Sequence, residues 1–513
     1  MQFFFFLSLI NIESRFHLEL NHMKILYMEK ECFSSPPHPH VVVFPFPVHS
    51  HVQVMLNLAE ILSLHGFHIT FFITEYTSKS SCFKEISSHF ACYPGFHFQT
   101  ISDGLPFNHP RTGDRVVELF NSIDSTTKPQ FKEILKSGGV TRDGRPPITC
   151  IIADGIMCFT IDIAKEFQLP TILFRPFSAS CFWSLFCVPK LIDALELPLK
   201  GDCNMDKLVS NVPGMEGFLR LRDLPSFCRA NDLSDSKLQH VVSETHRAAS
   251  GYGLILNTFE ELEEFSLAHI RTKFQKVYTI GPIHASLKTK TTLQMRSSSG
   301  LKEEESKCMA WLDDQAMKSV VYVSFGNMTV LDMHQLMEFW HGLVNSGKPF
   351  LLVIPANLIS EEFQVPRVHF VGTKQKGKAV NWAPQEKALA HPAIGGFLTH
   401  SGWNSTLESI CEGVPMICWP FYADQQVNSR LVGEVWKIGL DMKDTCDRVI
   451  VEKMVKELMD VRREEFIKSA NQMARLARKS ASRGGTSYCN LNRLIEDIKS
   501  MNCLIEYIPK FND

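Results

Sequence analysis

Three times within its first 280 residues the chain repeats one arrangement: a short apolar run, an amphipathic stretch, and a second short apolar run. His40-Val-Val-Val-Phe-Pro-Phe46 reads as a strand, Val52 to His65 as a helix closed by Gly66, and His68-Ile-Thr-Phe-Phe-Ile73 as the next strand. Ile148 to Ala153, Ile156 to Phe167 and Thr171 to Phe174 repeat the unit, as do Gly253 to Leu256, Glu260 to Phe274 and Val277 to Ile280. Alternating strands and helices predict a parallel sheet, and strands of this kind are covered on both faces.

After Gly281-Pro282 the pattern gives way to a polar stretch, Lys288 to Lys307, containing Ser297-Ser-Ser-Gly300 and Glu303-Glu-Glu305. It reads as an interdomain linker, with a surface loop as the alternative. A second series follows, with Ser319 to Ser324 as a strand, Asp332 to Ser346 as a helix, Pro349 to Ile354 as a strand, and shorter units to Val432. Val451 to Lys499 is helical, with a break at Gly484-Gly485. The expected division is an extension over 1–38, an N-terminal domain over 39–284, a linker over 285–307 and a C-terminal domain over 308–482. A last helix and tail, 483–513, packs back on the N-terminal domain. A length of 513 residues accommodates two such domains.

Charge and cysteine usage narrow the partners. The 53 Lys+Arg nearly balance 55 Asp+Glu, which argues against nucleic acid. Fifteen cysteines are scattered from Cys32 to Cys503 without a C-x-x-C pair, as expected of reduced thiols in a cytoplasmic chain. The apolar run Phe3 to Ile10 lacks a basic flank and a cleavage site, and falls short of the ~20 residues that span a bilayer. Residues 1–27 are therefore expected to lie outside the folded protein, with Met28 as its start and no integral membrane segment.

No G-x-G-x-x-G follows a strand; Gly251-Tyr-Gly253 precedes one and lacks the third glycine, which counts against a nicotinamide-dependent oxidoreductase. Walker A, H-E-x-x-H, G-x-S-x-G and D-x-D patterns are also missing, so no metal is expected. Instead, a dense stretch runs from Trp382-Ala-Pro-Gln385 through Thr399-His-Ser-Gly-Trp-Asn-Ser-Thr-Leu-Glu408 to Asp424-Gln425. Ile394 to Leu398 reads as a strand, His400 to Gly402 as a tight turn, and Trp403 to Cys411 as a helix. A strand, a glycine turn and a helix start form an anion site, and Glu408 lies about one turn further along the same face. Asn-Ser-Thr as simple helix capping is the alternative.

These 44 residues, Trp382 to Gln425, resemble the signature box of plant family 1 UDP-glycosyltransferases, and the similarity extends from about Pro39 to about residue 500. It implies a GT-B fold, two Rossmann-like doubly wound α/β domains facing across a cleft. It implies an inverting, UDP-glucose-dependent transferase with no cofactor, acting as a monomer. Trp382 would stack on uracil, with Ala383 and Gln385 beside it, and Glu408 would hold the ribose hydroxyls. His400, Gly402, Asn404 and Ser405 would contact the diphosphate, and Trp403, Asp424 and Gln425 the sugar. Asn327, after Ser319-Val-Val-Tyr-Val-Ser-Phe-Gly326, stands where the family carries a phosphate-contacting Ser or Thr.

In His49-Ser-His-Val-Gln-Val54, His51 aligns with the family's catalytic base, with His49 a rival two residues away. Asp154, in Ile151-Ile-Ala-Asp-Gly155, aligns with the carboxylate that orients it, helix capping being the other reading. A non-catalytic UDP-sugar-binding protein would keep the box and lose this pair.

A small apolar acceptor is expected against the aromatic stretch Phe174 to Phe186, with Phe177, Phe182 and Phe186 as its wall. Asn211 to Arg229 resembles plant iridoid glucosyltransferases of the 7-deoxyloganetic acid type, which makes an iridoid or monoterpenoid the expected acceptor and another terpenoid or a phenolic the alternative. Arg175, Arg220 and Arg222 are candidates to pair with an acceptor carboxylate, against the plainer reading of surface arginines.

Overall fold

The computed structural model describes residues 38–142, 144–199, 201, 203–290, 302–326, 329–355 and 376–506. The run Phe3 to Ile10, the start at Met28, the centre of the expected linker and Asn327 lie outside these residues.

The strands are β1 (His40–Phe44), β2 (His68–Thr74), β3 (Phe96–Ile101), β4 (Ile148–Asp154), β5 (Thr171–Arg175), β6 (Gly253–Leu256) and β7 (Val277–Thr279), then β8 (Val320–Ser324), β9 (Phe350–Val353), β10 (Gly377–Val380), β11 (Ile394–Thr399), β12 (Met416–Cys418) and β13 (Gly439–Asp441). They form two sheets, ordered β3-β2-β1-β4-β5-β6-β7 and β10-β9-β8-β11-β12-β13. Pairing is parallel between neighbours, for example Val43 with Ile152 and Leu398 with Val323. Helices that bear on the site are α1 (His49–Leu64), α2 (Phe159–Glu166), α3 (Ala179–Phe186), α4 (Glu260–Ile270), α5 (Ile283–Lys290), α6 (Lys302–Asp313), α7 (Trp403–Glu412), α8 (Gln425–Arg430), α9 (Arg463–Ala481) and α10 (Thr486–Glu506).

The central strands β1, β5, β8 and β11 are buried at every position, because helices cover both faces of each sheet. β3, with its partly exposed middle, escapes a reading based on apolar runs and takes an edge. The expected linker is helical at both ends: α5 buries Ile283 and Leu287 in the cluster that holds Val41 and Val43 of β1, and α6 buries Cys308 and Leu312. After Gly484, which takes a left-handed φ of 84°, α10 returns to the first sheet. Leu491, Leu494, Ile495 and Ile498 join that same apolar cluster, and Asn490 Nδ2 donates to Thr279 Oγ1 at 2.7 Å.

Strand order fixes where ligands can sit. In an open parallel sheet the crevice lies beyond the carboxyl ends of the strands where the winding direction reverses. That point falls between β1 and β4 in the first sheet and between β8 and β11 in the second. The residues at or just beyond these strand ends include His51 and Asp154 in one domain, Gly326 and His400 in the other.

Candidate active site

α1 begins at His49, three residues before the expected Val52, because Val48 is extended and the polar turn His49-Ser-His51 is already helical. This puts His51 in the first turn, directly beyond β1. Its Nδ1 lies 2.7 Å from Asp154 Oδ2, with the carboxylate fully buried and the imidazole 19% exposed. Nδ1–H therefore donates to Asp154, which leaves Nε2 as the free base. Phe46 packs edge-on against the imidazole at 5.5 Å. The other Asp154 oxygen accepts from Ile156 N at 3.2 Å, so the carboxylate closes a turn and holds the histidine at once. It does not cap α2, whose N-cap is Cys158. His49 is exposed on the first turn, and the histidine bonded to the Asp154 carboxylate is His51.

Across the cleft, α7 starts at Trp403 with Gly402 as its N-cap and no side chain capping it. The capping alternative for Asn404-Ser405-Thr406 therefore does not hold, and the first-turn N–H groups face a potential anion unclaimed. His400 is wedged between two glycines: a Cβ on Gly402 would come within 2.4 Å of its Nε2, and one on Gly326 within 2.5 Å. Burial lowers the His400 pKa to about 4, so it enters the site as a neutral N–H donor rather than a cation.

Beside it, the Gln385 carboxamide donates to Glu408 Oε2 at 2.7 Å and to Ser405 Oγ at 2.9 Å. Gln385 thus orients Glu408 and Ser405 rather than presenting a free side chain. Burial, helped by the nearby Glu386 charge, pushes the Glu408 carboxyl up to about 8. Trp382 is half-buried in the loop after β10, and Ala383 is buried behind it. The Gln425 carbonyl accepts from the main-chain N–H groups of Phe421 and Tyr422, both at 2.7 Å, leaving its amide end to donate. Burial pushes Asp424 up to about 6, while one of its oxygens accepts from Asn428 at 2.7 Å.

Two box residues turn out to join the domains. The Trp403 indole N–H donates to Asn257 O at 2.7 Å, so its buried ring is an interdomain strut. Asn404 Nδ2 donates to Ser50 O at 3.1 Å, tying the helix start of one domain to the first turn of α1, which carries the base, in the other. The segment around Ser226 adds a clasp that sequence reasoning missed. Ser226 N donates to Ala423 O at 2.9 Å, and Ala423 N donates back to Ser226 Oγ at 2.8 Å. Ala423, with a left-handed φ of 56°, immediately precedes Asp424 and Gln425. No local sequence pattern marks this pairing, because its partners are 197 residues apart.

The expected acceptor wall is corrected. Phe182 is fully buried against Phe186 and Phe274, and Phe186 stacks on Trp183 at 5.6 Å. α3 buries every residue except its last, so the Phe182 ring is core, while Phe186 is half-buried and packs against that core. Phe177 remains half-buried, facing the Arg175 guanidinium at 5.4 Å. Arg220 and Arg222 are engaged by Asp223 and Asp206 at 2.8 and 2.9 Å.

Among the described residues no group of three or more His, Cys, Asp and Glu side chains converges as a metal site, and no helix is long and apolar enough to cross a membrane. Two parallel-sheet domains whose crevices face each other, one carrying a His–Asp pair and the other an open helix start, define a GT-B glycosyltransferase. The chain belongs to the plant family 1 UDP-glycosyltransferases, and is an enzyme of that class. Residues 260–476 match the family model described as UDP-glucoronosyl and UDP-glucosyl transferase. A 7-deoxyloganetic acid glucosyltransferase of Catharanthus roseus is 51% identical over 472 residues, covering 90% of this chain and 98% of that protein. An (R)-mandelonitrile beta-glucosyltransferase of Prunus dulcis is 38% identical, covering 91% and 98%. A Medicago truncatula crystal structure complexed with UDP-glucose superposes with a TM-score of 0.74 at 27% identity, covering 90% and 98%.

Proposed function

We propose that this protein transfers glucose from UDP-glucose to a hydroxyl of a small iridoid or related monoterpenoid acid, with 7-deoxyloganetic acid as the reference acceptor. The observation that carries the chemistry is the 2.7 Å His51–Asp154 pair lying opposite an uncapped helix start. The 51% identity to the Catharanthus roseus enzyme supports the acceptor. His51 Nε2 takes the proton of the acceptor hydroxyl as the oxygen bonds to the anomeric carbon. The bond from that carbon to the diphosphate oxygen breaks, and UDP leaves with the electron pair. Attack from the face opposite the leaving group turns an α-linked donor into a β-glucoside. Asp154 stabilises the imidazolium formed, while the α7 N–H groups and the neutral His400 donate to the diphosphate as its charge grows.

Trp382, Ala383 and Glu408 would bind the nucleoside, Gly402, Ser405 and the Trp403 and Asn404 main chain the diphosphate, and Asp424 and Gln425 the sugar. The scattered cysteines favour a cytosolic enzyme, which we infer acts as a monomer. Incubation with UDP-glucose and a panel of iridoid, terpenoid and phenolic acceptors, read by mass for a hexose adduct, tests the reading. A β-glucoside of the iridoid acid is the expected product; adducts with phenolics alone would overturn the acceptor, and no adduct with any acceptor would overturn the activity.

A further inference from the structure

Arg175 ends β5, one position past the Phe174–Asp154 pairing, and so stands beside the oriented carboxylate at the same rim of the sheet. Its stem lies against the residue after Asp154, since a Cβ on Gly155 would meet Arg175 Cδ at 2.3 Å. The side chain is fully buried, yet none of its three guanidinium nitrogens has a hydrogen-bond partner. The carboxylates whose charge it feels are committed elsewhere. Asp154 holds His51 and Ile156 N, while Glu244 accepts from Cys158 N at 2.7 Å and from Arg247. A buried guanidinium with its five donors open is costly unless an anion meets it, and its planar fork suits a carboxylate.

The surroundings point to an organic anion. The guanidinium lies 5.4 Å from the ring centre of Phe177 and 5.2 Å from that of Phe182, so aromatic faces flank it. A chain of rings leads from the base toward it: His51 to Phe46 at 5.5 Å, Phe46 to Phe120 at 5.8 Å, Phe120 to His240 at 4.0 Å. His240 also has a buried Nε2 without a partner, and its imidazole feels the Arg175 charge. The two rival arginines, Arg220 and Arg222, are held by aspartates.

We propose that Arg175 recognises the carboxylate of the acceptor, so that the enzyme selects an acid and glucosylates it on a hydroxyl rather than on the acid group. This rests on the glucosyltransferase reading above, and names the feature of the acceptor that the site selects. A carboxylate held at Arg175 is withdrawn from His51, so the nucleophile presented to the base is the alcohol and the product is a glucoside stable to hydroxylamine.

The test compares 7-deoxyloganetic acid with its methyl ester in wild type, Arg175→Met, which keeps the stem over Gly155, and Arg175→Lys, which keeps the charge without the fork. Arg175→Met is expected to raise KM for the acid about ten- to a hundredfold, while KM for the ester and for UDP-glucose moves less than about threefold; Arg175→Lys falls between. Equal losses on acid and ester would assign Arg175 to Asp154 or to the fold and overturn the proposal, as would an unchanged acid KM or a hydroxylamine-labile glucose ester as product. If wild type turns over neither acceptor, the glucosyltransferase reading fails separately. Calorimetric binding of the acid to UDP-loaded wild type and Arg175→Met then decides the arginine by itself, equal affinities overturning it.

Discussion

His51 and Asp154 are 103 residues apart in sequence and 2.7 Å apart in space, and the reactivity assigned to the site follows from that distance. With Asp154 holding Nδ1, the base nitrogen faces the cleft in the right tautomer. His51→Ala is expected to lower kcat by about 10²–10⁴ with KM for UDP-glucose within about threefold; Asp154→Asn, whose amide favours the tautomer with the proton on Nε2, should lower kcat comparably. Steady-state kinetics checks both, and a full kcat in His51→Ala would exclude it as the base.

Glu408 supplies a second prediction at this scale. Its pKa is raised to about 8, so the folded free protein holds a proton there that the unfolded chain has released above the ordinary carboxyl range. The stability this proton contributes is present at low pH and is lost as pH rises toward 8. A ribose diol donating to the carboxylate favours its ionised form, so UDP-glucose binding at pH 7 should release close to one proton. Calorimetry in buffers of different ionisation enthalpy reads this directly. Glu408→Gln should abolish the release and weaken donor binding at least about tenfold.

Among the elements, α7 works because its start is left open. A serine or aspartate at its N-cap would satisfy the first-turn N–H groups internally; Gly402 leaves them for a ligand and leaves room for His400. The Ser226 clasp acts at the same scale, since it fixes from the opposite domain the turn that presents Asp424 and Gln425. Ser226→Ala removes one of its two hydrogen bonds, a loss of about 0.5–1.5 kcal/mol. The expected result is a severalfold higher KM for UDP-glucose with UDP affinity unchanged, measured by kinetics and by UDP titration. A matching loss of UDP affinity would show that the clasp supports the whole donor site rather than its sugar end. The stretch Asn211 to Arg229 was legible as distinctive, yet its Ser226 end, apart from any acceptor role, proves to hold the two domains together.

Across the whole molecule, α10 closes the chain on the domain where it began. Leu494 is fully buried in the cluster that contains β1, β2 and α1. Leu494→Ala should cost about 2–5 kcal/mol of stability, read by denaturant unfolding, with KM for UDP-glucose unchanged because its cluster lies within the N-terminal domain and holds none of the donor-box residues. Alternation of strand and helix was enough to specify two parallel-sheet domains, since that pattern has few other ways to bury both faces of each strand. The donor box was legible because it is local: a strand, a turn and a helix start lie within a few residues, so spacing determines geometry. Contacts between distant segments were not. The aromatic character of the stretch put Phe177, Phe182 and Phe186 on an acceptor wall, yet which ring meets the core is set by what packs on it, and α3 buries Phe182 fully while Phe186 stays half-buried. Sequence by itself thus determined most of the elements, though not β3, and the parallel-sheet class of both domains. Tertiary structure alone decided which histidine meets Asp154, that Trp403 and Asn404 bridge the domains, and that Arg175, of the three candidate arginines, is without a hydrogen-bond partner. Each of these depends on distance between residues that only packing brings together.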